Sequence, residues 1–121
     1  MDDVKDGNDF ISVVQGRQAS PTALTAADYP KAGNQLQGAT EGAARVGLSN
    51  VPLNAYTTWN LNASGLAWVT KGGYTQLALR EGHDLLNIWP NYASGKGVAL
   101  TVVMSESATP SQTPYLEITY R

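Results

Sequence analysis

The second half of the chain, Tyr56 to Arg121, constrains the fold most, because strand-like alternation recurs there between turn signals. In Tyr56-Thr57-Thr58-Trp59-Asn60-Leu61-Asn62, Trp59 and Leu61 share one face, with Tyr56, Thr58 and Asn60 on the other. Asn62 is placed to cap a helical turn over Ala63 to Val69, which puts Leu66 and Val69 on one side at i, i+3. Lys71-Gly72-Gly73 ends that turn. A second strand, Tyr74 to Arg80, then buries Leu77 and Leu79 and exposes Gln76. In the next strand, Val98 to Ser105, apolar residues on both faces indicate a central position. Pro110 and Pro114 mark a connection, and the last strand, Tyr115 to Arg121, points Leu116 and Ile118 inward.

The first half is less regular. Phe10 to Gln15 reads as a strand rich in β-branched residues, ended by Gly16. Thr25-Ala26-Ala27-Asp28 matches a capping box, and Pro30 limits the helix it starts to about one turn. Residues 31–50 read as Gly- and Ala-rich loop, with a short strand at Ala43 to Leu48. Together these patterns predict an all-β antiparallel sandwich of jelly-roll type, with one or two single-turn helices near Thr25 to Tyr29 and Ala63 to Val69. Its core is expected to hold Ile11, Val13, Trp59, Leu61, Leu66, Val69, Leu77, Leu79, Leu100, Val102, Leu116 and Ile118.

A chain of 121 residues supports one such core, so residues 10–121 read as a single β-sandwich domain behind an acidic segment, residues 1–9. That segment carries Asp2, Asp3, Asp6 and Asp9 against Lys5, while the whole chain has a net charge of only −2. The remainder is therefore close to neutral and offers nothing like the basic stripe that binds nucleic acid. With no cysteine, disulfides and thiolate metal sites are excluded. No run of about 18 apolar residues is present, so no membrane insertion is expected. Met1-Asp2-Asp3 does not read as the start of a signal peptide.

Three segments carry a family resemblance: Tyr56 to Asn62, Leu77 to Asp84, and Ser105-Glu106-Ser107 followed by Pro114-Tyr115-Leu116-Glu117-Ile118-Thr119-Tyr120. Their order and spacing resemble the second half of DNRLRE-type domains, across roughly residues 10–121. The resemblance implies a jelly-roll sandwich from an extracellular, cell-surface or virion structural protein, akin to carbohydrate-binding modules, alginate being one ligand class. The family's opening strands, including one with an Arg-Phe-Asp-like core, have no counterpart here. The domain is accordingly expected to lack N-terminal strands and to be completed by association, as a homo-oligomer or with a complementary chain.

Candidate binding residues cluster after the second strand. Trp89, Asn91 and Tyr92, with Asn87 nearby, could stack on and hydrogen-bond a polysaccharide or glycan. The competing reading folds Ile88-Trp89-Pro90 back as a lid on the sandwich end. Arg80-Glu81-Gly82-His83-Asp84 is the densest cluster of functional side chains. Glu81 and His83 share strand parity and could ligate one metal or flank one substrate. The structural alternative is an Arg-carboxylate network that closes the strand end, with His83 bonded to backbone.

No resident cofactor is expected. Asp2, Asp6, Asn8 and Asp9 around Gly7 leave a loose calcium loop open, although Val4 and Val13 stand where the helix–loop–helix template needs oxygen ligands. Asn62-Ala63-Ser64 is formally a glycosylation acceptor, but capping accounts for Asn62. One His, no Cys, no Gly-x-Ser-x-Gly and no phosphate-cradling loop argue against an enzyme. A glycosidase carboxylate pair could be drawn only from Glu81, Glu106 and Glu117, and Glu117 alternates outward. The sequence thus predicts a non-catalytic module that binds carbohydrate, or alternatively a structural domain completed by strand pairing with a partner or with itself.

Overall fold

Phe10–Gln15 is the longest strand among the described residues and the centre of the sheet, because its β-branched run lets both faces be buried. The structure is a computed structural model that describes residues 2–3, 6–89, 96–97, 99–104 and 107–120, with 2–3, 96–97 and 110 described by backbone alone. In chain order the strands are β1 (Asp2–Asp3), β2 (Phe10–Gln15), β3 (Val46–Gly47), β4 (Leu77–Glu81) and β5 (Lys96–Gly97). Two short α-helices, α1 (Ala63–Ala67) and α2 (Gly82–Leu86), and three 3₁₀ segments at Ala26–Lys31, Leu48–Asn50 and Pro110–Gln112 complete the described elements.

Strands β3, β2 and β4 form one antiparallel sheet in the order β3-β2-β4, while β1 and β5 make a two-residue parallel pair. The β2–β4 register sets Ser12 opposite Arg80 and Val14 opposite Ala78 on one face. Val13 opposite Leu79 and Gln15 opposite Leu77 share the other. Only the first of these faces carries the main core, where Phe10, Val14, Ala39 and Leu85 pack with Ala32, Ala78 and Leu86. Helix α2 reaches this face closely: a Cβ on Gly82 would strike the Asn8 carbonyl oxygen and the Phe10 ring.

Local signals fold as the sequence dictates. The Asp28 carboxylate accepts from both the Thr25 N–H and hydroxyl at 2.9 Å and from the Ala19 N–H at 3.1 Å. The 3₁₀ segment it starts, Ala26–Lys31, runs through Pro30 and so exceeds the single turn expected to end there. Asn62 caps α1, accepting from the Gly65 N–H at 3.0 Å and donating to the Glu41 carbonyl at 3.0 Å. The helix stops at Ala67, with Trp68 against Gly42, a position where any Cβ would collide with the indole.

The expected jelly-roll sandwich is not what forms. Helix is about 20% and strand about 17%, and among the described residues the three antiparallel strands make one open sheet rather than a two-sheet sandwich. A strand needs a hydrogen-bonded neighbour as well as an alternating sequence. Among the described residues Tyr56 to Asn62 finds only the single bridge Ala43↔Leu61. The described parts of the last two predicted strands, 99–104 and 115–120, find no ladder. Leu66, Leu79, Val102, Leu116 and Ile118, all expected in the core, are exposed.

The surface is correspondingly large. The chain exposes 8693 Å² at a mass of 12.9 kDa, whereas a folded monomer of that mass exposes about 6,300 Å². The excess of about 2,400 Å² is rich in large apolar side chains, from Leu24 and Tyr29 to Leu116 and Tyr120. Among the described residues no helix is long and apolar enough to cross a membrane.

Candidate functional site at the β4–α2 corner

Glu81 is the hinge of the site. It is the last residue of β4 and the N-cap of α2, its carboxylate accepting from the N–H groups of His83 at 3.0 Å and Asp84 at 3.3 Å. Capping turns the chain off the sheet at once, so Arg80 remains a strand residue and His83 becomes a helix residue. Strand parity beyond Glu81, used to pair it with His83, therefore does not apply. The two side chains meet all the same, Glu81 Oε1 lying 2.6 Å from His83 Nδ1. Asn87 closes the helix in the left-handed conformation at φ 53°, which asparagine tolerates.

His83 is only 4% exposed, and a carboxylate engages each ring nitrogen. Its Nε2 lies 2.9 Å from Asp6 Oδ2, so the acidic N-terminal segment is tied to α2. Burial works against the charged imidazole, but the hydrogen bonds to Asp6 and Glu81 outweigh it and raise the pKa above the ordinary 6.5. The bond to His83, followed by the Asn8 N–H, holds Asp6 below its ordinary 3.8. The contact thus favours the charged form of each partner. The expected bond from His83 to backbone is replaced by this pair of carboxylates.

Arg80 is 6% exposed and fully engaged. Its Nε donates to Asp84 Oδ2 at 2.7 Å, and Nη2 donates to the carbonyls of Leu36 at 2.8 Å and Asp84 at 3.0 Å. Nη1 reaches the carbonyls of Ala32 at 3.3 Å and Gln35 at 3.5 Å. One guanidinium therefore fastens the 32–36 loop to the sheet and to α2. Trp89, by contrast, is 89% exposed, and Asn87 is exposed at the end of the helix. Asn91 and Tyr92 lie outside the described residues, so of the expected aromatic patch only Trp89 is described. Asp6, the one described carboxylate of the candidate calcium loop besides Asp9, is committed to His83 and the Asn8 N–H. Among the described residues no group of three or more His, Cys, Asp or Glu side chains is arranged to hold a metal.

Beside this corner runs an open cleft of about 620 Å³ along β4, lined on the strand side by Leu77, Leu79 and Glu81 and opposite by Leu24, Tyr29 and Leu36. The polarity of the ladder shows which backbone groups border it. The Gly16 N–H donates to the Gln76 carbonyl, while the Gln15 and Val13 carbonyls accept from Gly33 and Gly42. In an antiparallel ladder alternate residues turn their N–H and C=O to opposite sides. Gln76, Ala78 and Arg80 therefore face β2, and Leu77 and Leu79 point their backbone groups outward. Among the described residues none of those outward groups has a backbone partner.

A second polar cluster was not legible in the sequence. Ser12, fully buried on β2, donates to Glu41 Oε2 at 2.7 Å, and Arg45 pairs with the same carboxylate while its guanidinium lies 3.9 Å from the Phe10 ring centre. Burial would raise the Glu41 pKa, but the bonds from Arg45 and Ser12 lower it overall. Comparison of the chain with family models, curated proteins and solved structures gave no significant match.

Proposed function

We propose that this chain is a non-catalytic assembly module whose apolar surface is covered by further copies of itself or by a companion chain. The excess of about 2,400 Å² over a compact monomer carries this reading, being roughly three times what one partner contributes to a standard interface. The side chains that could do chemistry point the same way. Both nitrogens of His83 are taken by carboxylates and the Arg80 guanidinium by carbonyls and Asp84, which leaves no free acid–base pair at the corner. Thermal unfolding at several concentrations tests the reading. Assembly makes Tm fall on dilution, with rising binding of a hydrophobic dye. A Tm independent of concentration, with no dye bound, would contradict it.

One observation favours carbohydrate binding as a second reading. Trp89 stands 89% exposed just past α2, where an indole face could stack on a sugar ring. A single exposed aromatic ring is weaker support than the extended apolar surface, so assembly is the primary proposal.

A further inference from the structure

We propose that the outer edge of β4 and the cleft beside it receive residues 115–120 of a second copy as an added strand. This rests on the assembly reading and names its contact. The receiving side has what strand addition requires: outward N–H and C=O groups at Leu77 and Leu79 without backbone partners among the described residues, and an apolar cleft next to them. The sheet face is also left unfinished there. Val13 is buried, yet its cross-strand neighbour Leu79 is 47% exposed, so the apolar surface ends at the β4 edge with no further strand among the described residues.

The donating side has the complementary pattern. In Tyr115-Leu116-Glu117-Ile118-Thr119-Tyr120, Leu116 and Ile118 alternate with Glu117 and Thr119, at the same i, i+2 spacing as Leu77 and Leu79. Both are exposed, at 45% and 47%, and the segment joins no ladder among the described residues. Its root is fixed: the Tyr56 hydroxyl donates to the Ser111 and Thr113 carbonyls at 2.7 and 3.0 Å, and the Tyr56 ring meets Tyr115 edge-on. So held, the segment is not seated in its own cleft, whereas a second copy can supply it without disturbing that root. Reciprocal exchange of such a segment removes apolar area from both copies, and the surface excess is ample for the roughly 800 Å² per partner of a stable interface.

Cysteine cross-linking tests this directly, because the chain has no cysteine of its own. Full-length Leu79→Cys and Ile118→Cys proteins are mixed in equal amounts under mild oxidation, alongside a control mixture of Leu79→Cys with Leu53→Cys, Leu53 being fully exposed elsewhere. Directly opposed strand residues lie within disulfide range. The Leu79–Ile118 mixed disulfide, or that from the adjacent Leu79–Leu116 pair, should form about a hundredfold faster than the control. An oligomer in which neither pair outpaces the control overturns the strand-addition contact while leaving assembly standing. A monomer with no preferential cross-link overturns both. If a cysteine variant fails to fold, wild-type protein with a synthetic peptide of residues 114–121 is the second test. A peptide that neither binds nor shifts the oligomer equilibrium counts against the contact.

Discussion

The imidazole of His83 and the carboxylate of Asp6 lie 77 positions apart in the chain and meet at 2.9 Å, tying the acidic N-terminal segment to the first turn of α2. The contact helps raise the pKa of the imidazole and lower that of the carboxylate.

Stability should therefore depend on pH in a definite sense. His83 has a folded pKa raised above 6.5, so its contribution is fully present below that value and is lost as pH rises through the raised one. Asp6 has a folded pKa lowered below 3.8, so its contribution is present above that value and lost as pH falls through the lowered one. Between about pH 4 and 6.5 both are in place. Wild-type Tm should fall from pH 6 to pH 9 more than that of His83→Gln. Parallel curves would show that the contact does not contribute.

Arg80 should be the most sensitive polar residue. Arg80→Met leaves the carbonyls of Ala32, Leu36 and Asp84 without their donor, and should cost about 3 kcal/mol in denaturant unfolding, since Asp84 is half-exposed and the loss lies at the low end for a buried pair. Arg80→Lys should recover little, because an ammonium cannot span the loop and the helix together. A loss within about 0.5 kcal/mol, as for ordinary surface positions, would remove Arg80 from its structural role.

Gly82→Ala should destabilise by about 1–3 kcal/mol through overlap with the Asn8 carbonyl and the Phe10 ring. Left-handed strain is not the cause, since Gly82 is not among the positive-φ residues. A neutral effect on the denaturant midpoint would mean that α2 sits farther from β2.

Proline substitution on β4 tests the direction of the ladder. Ala78→Pro deletes an N–H bonded to β2 and should cost about 3 kcal/mol, whereas Leu79→Pro deletes an outward N–H and should cost clearly less. If assembly runs through this edge, Leu79→Pro should also weaken association. Equal losses at the two positions would put the polarity in error.

Trp89→Ala separates the two functional readings on a glycan array. Specific binding by the wild type that is lost in the variant supports carbohydrate recognition. No binding by either counts against carbohydrate recognition.

What could be read in the sequence was what is encoded locally. β2 falls on Phe10–Gln15 as its β-branched run predicts, and the Thr25–Asp28 and Asn62–Gly65 caps form because their partners lie three residues apart. α2 was missed although Glu81 and Asn87 bracket Gly82–Leu86 as caps, because strand parity was carried past Glu81 to His83. The C-terminal alternation is real, but alternation defines a face and cannot supply the neighbouring strand, so the two-sheet core drawn from it does not form within one chain. Contacts such as His83–Asp6 and Ser12–Glu41 join residues 77 and 29 positions apart, beyond any local signal.

Multi-angle light scattering on the eluting protein at micromolar concentration measures the central claim most directly. Assembly predicts a mass at a whole multiple of 12.9 kDa, or that of a stoichiometric complex with a companion chain. A single species of 12.9 kDa that unfolds cooperatively and binds no hydrophobic dye would contradict it.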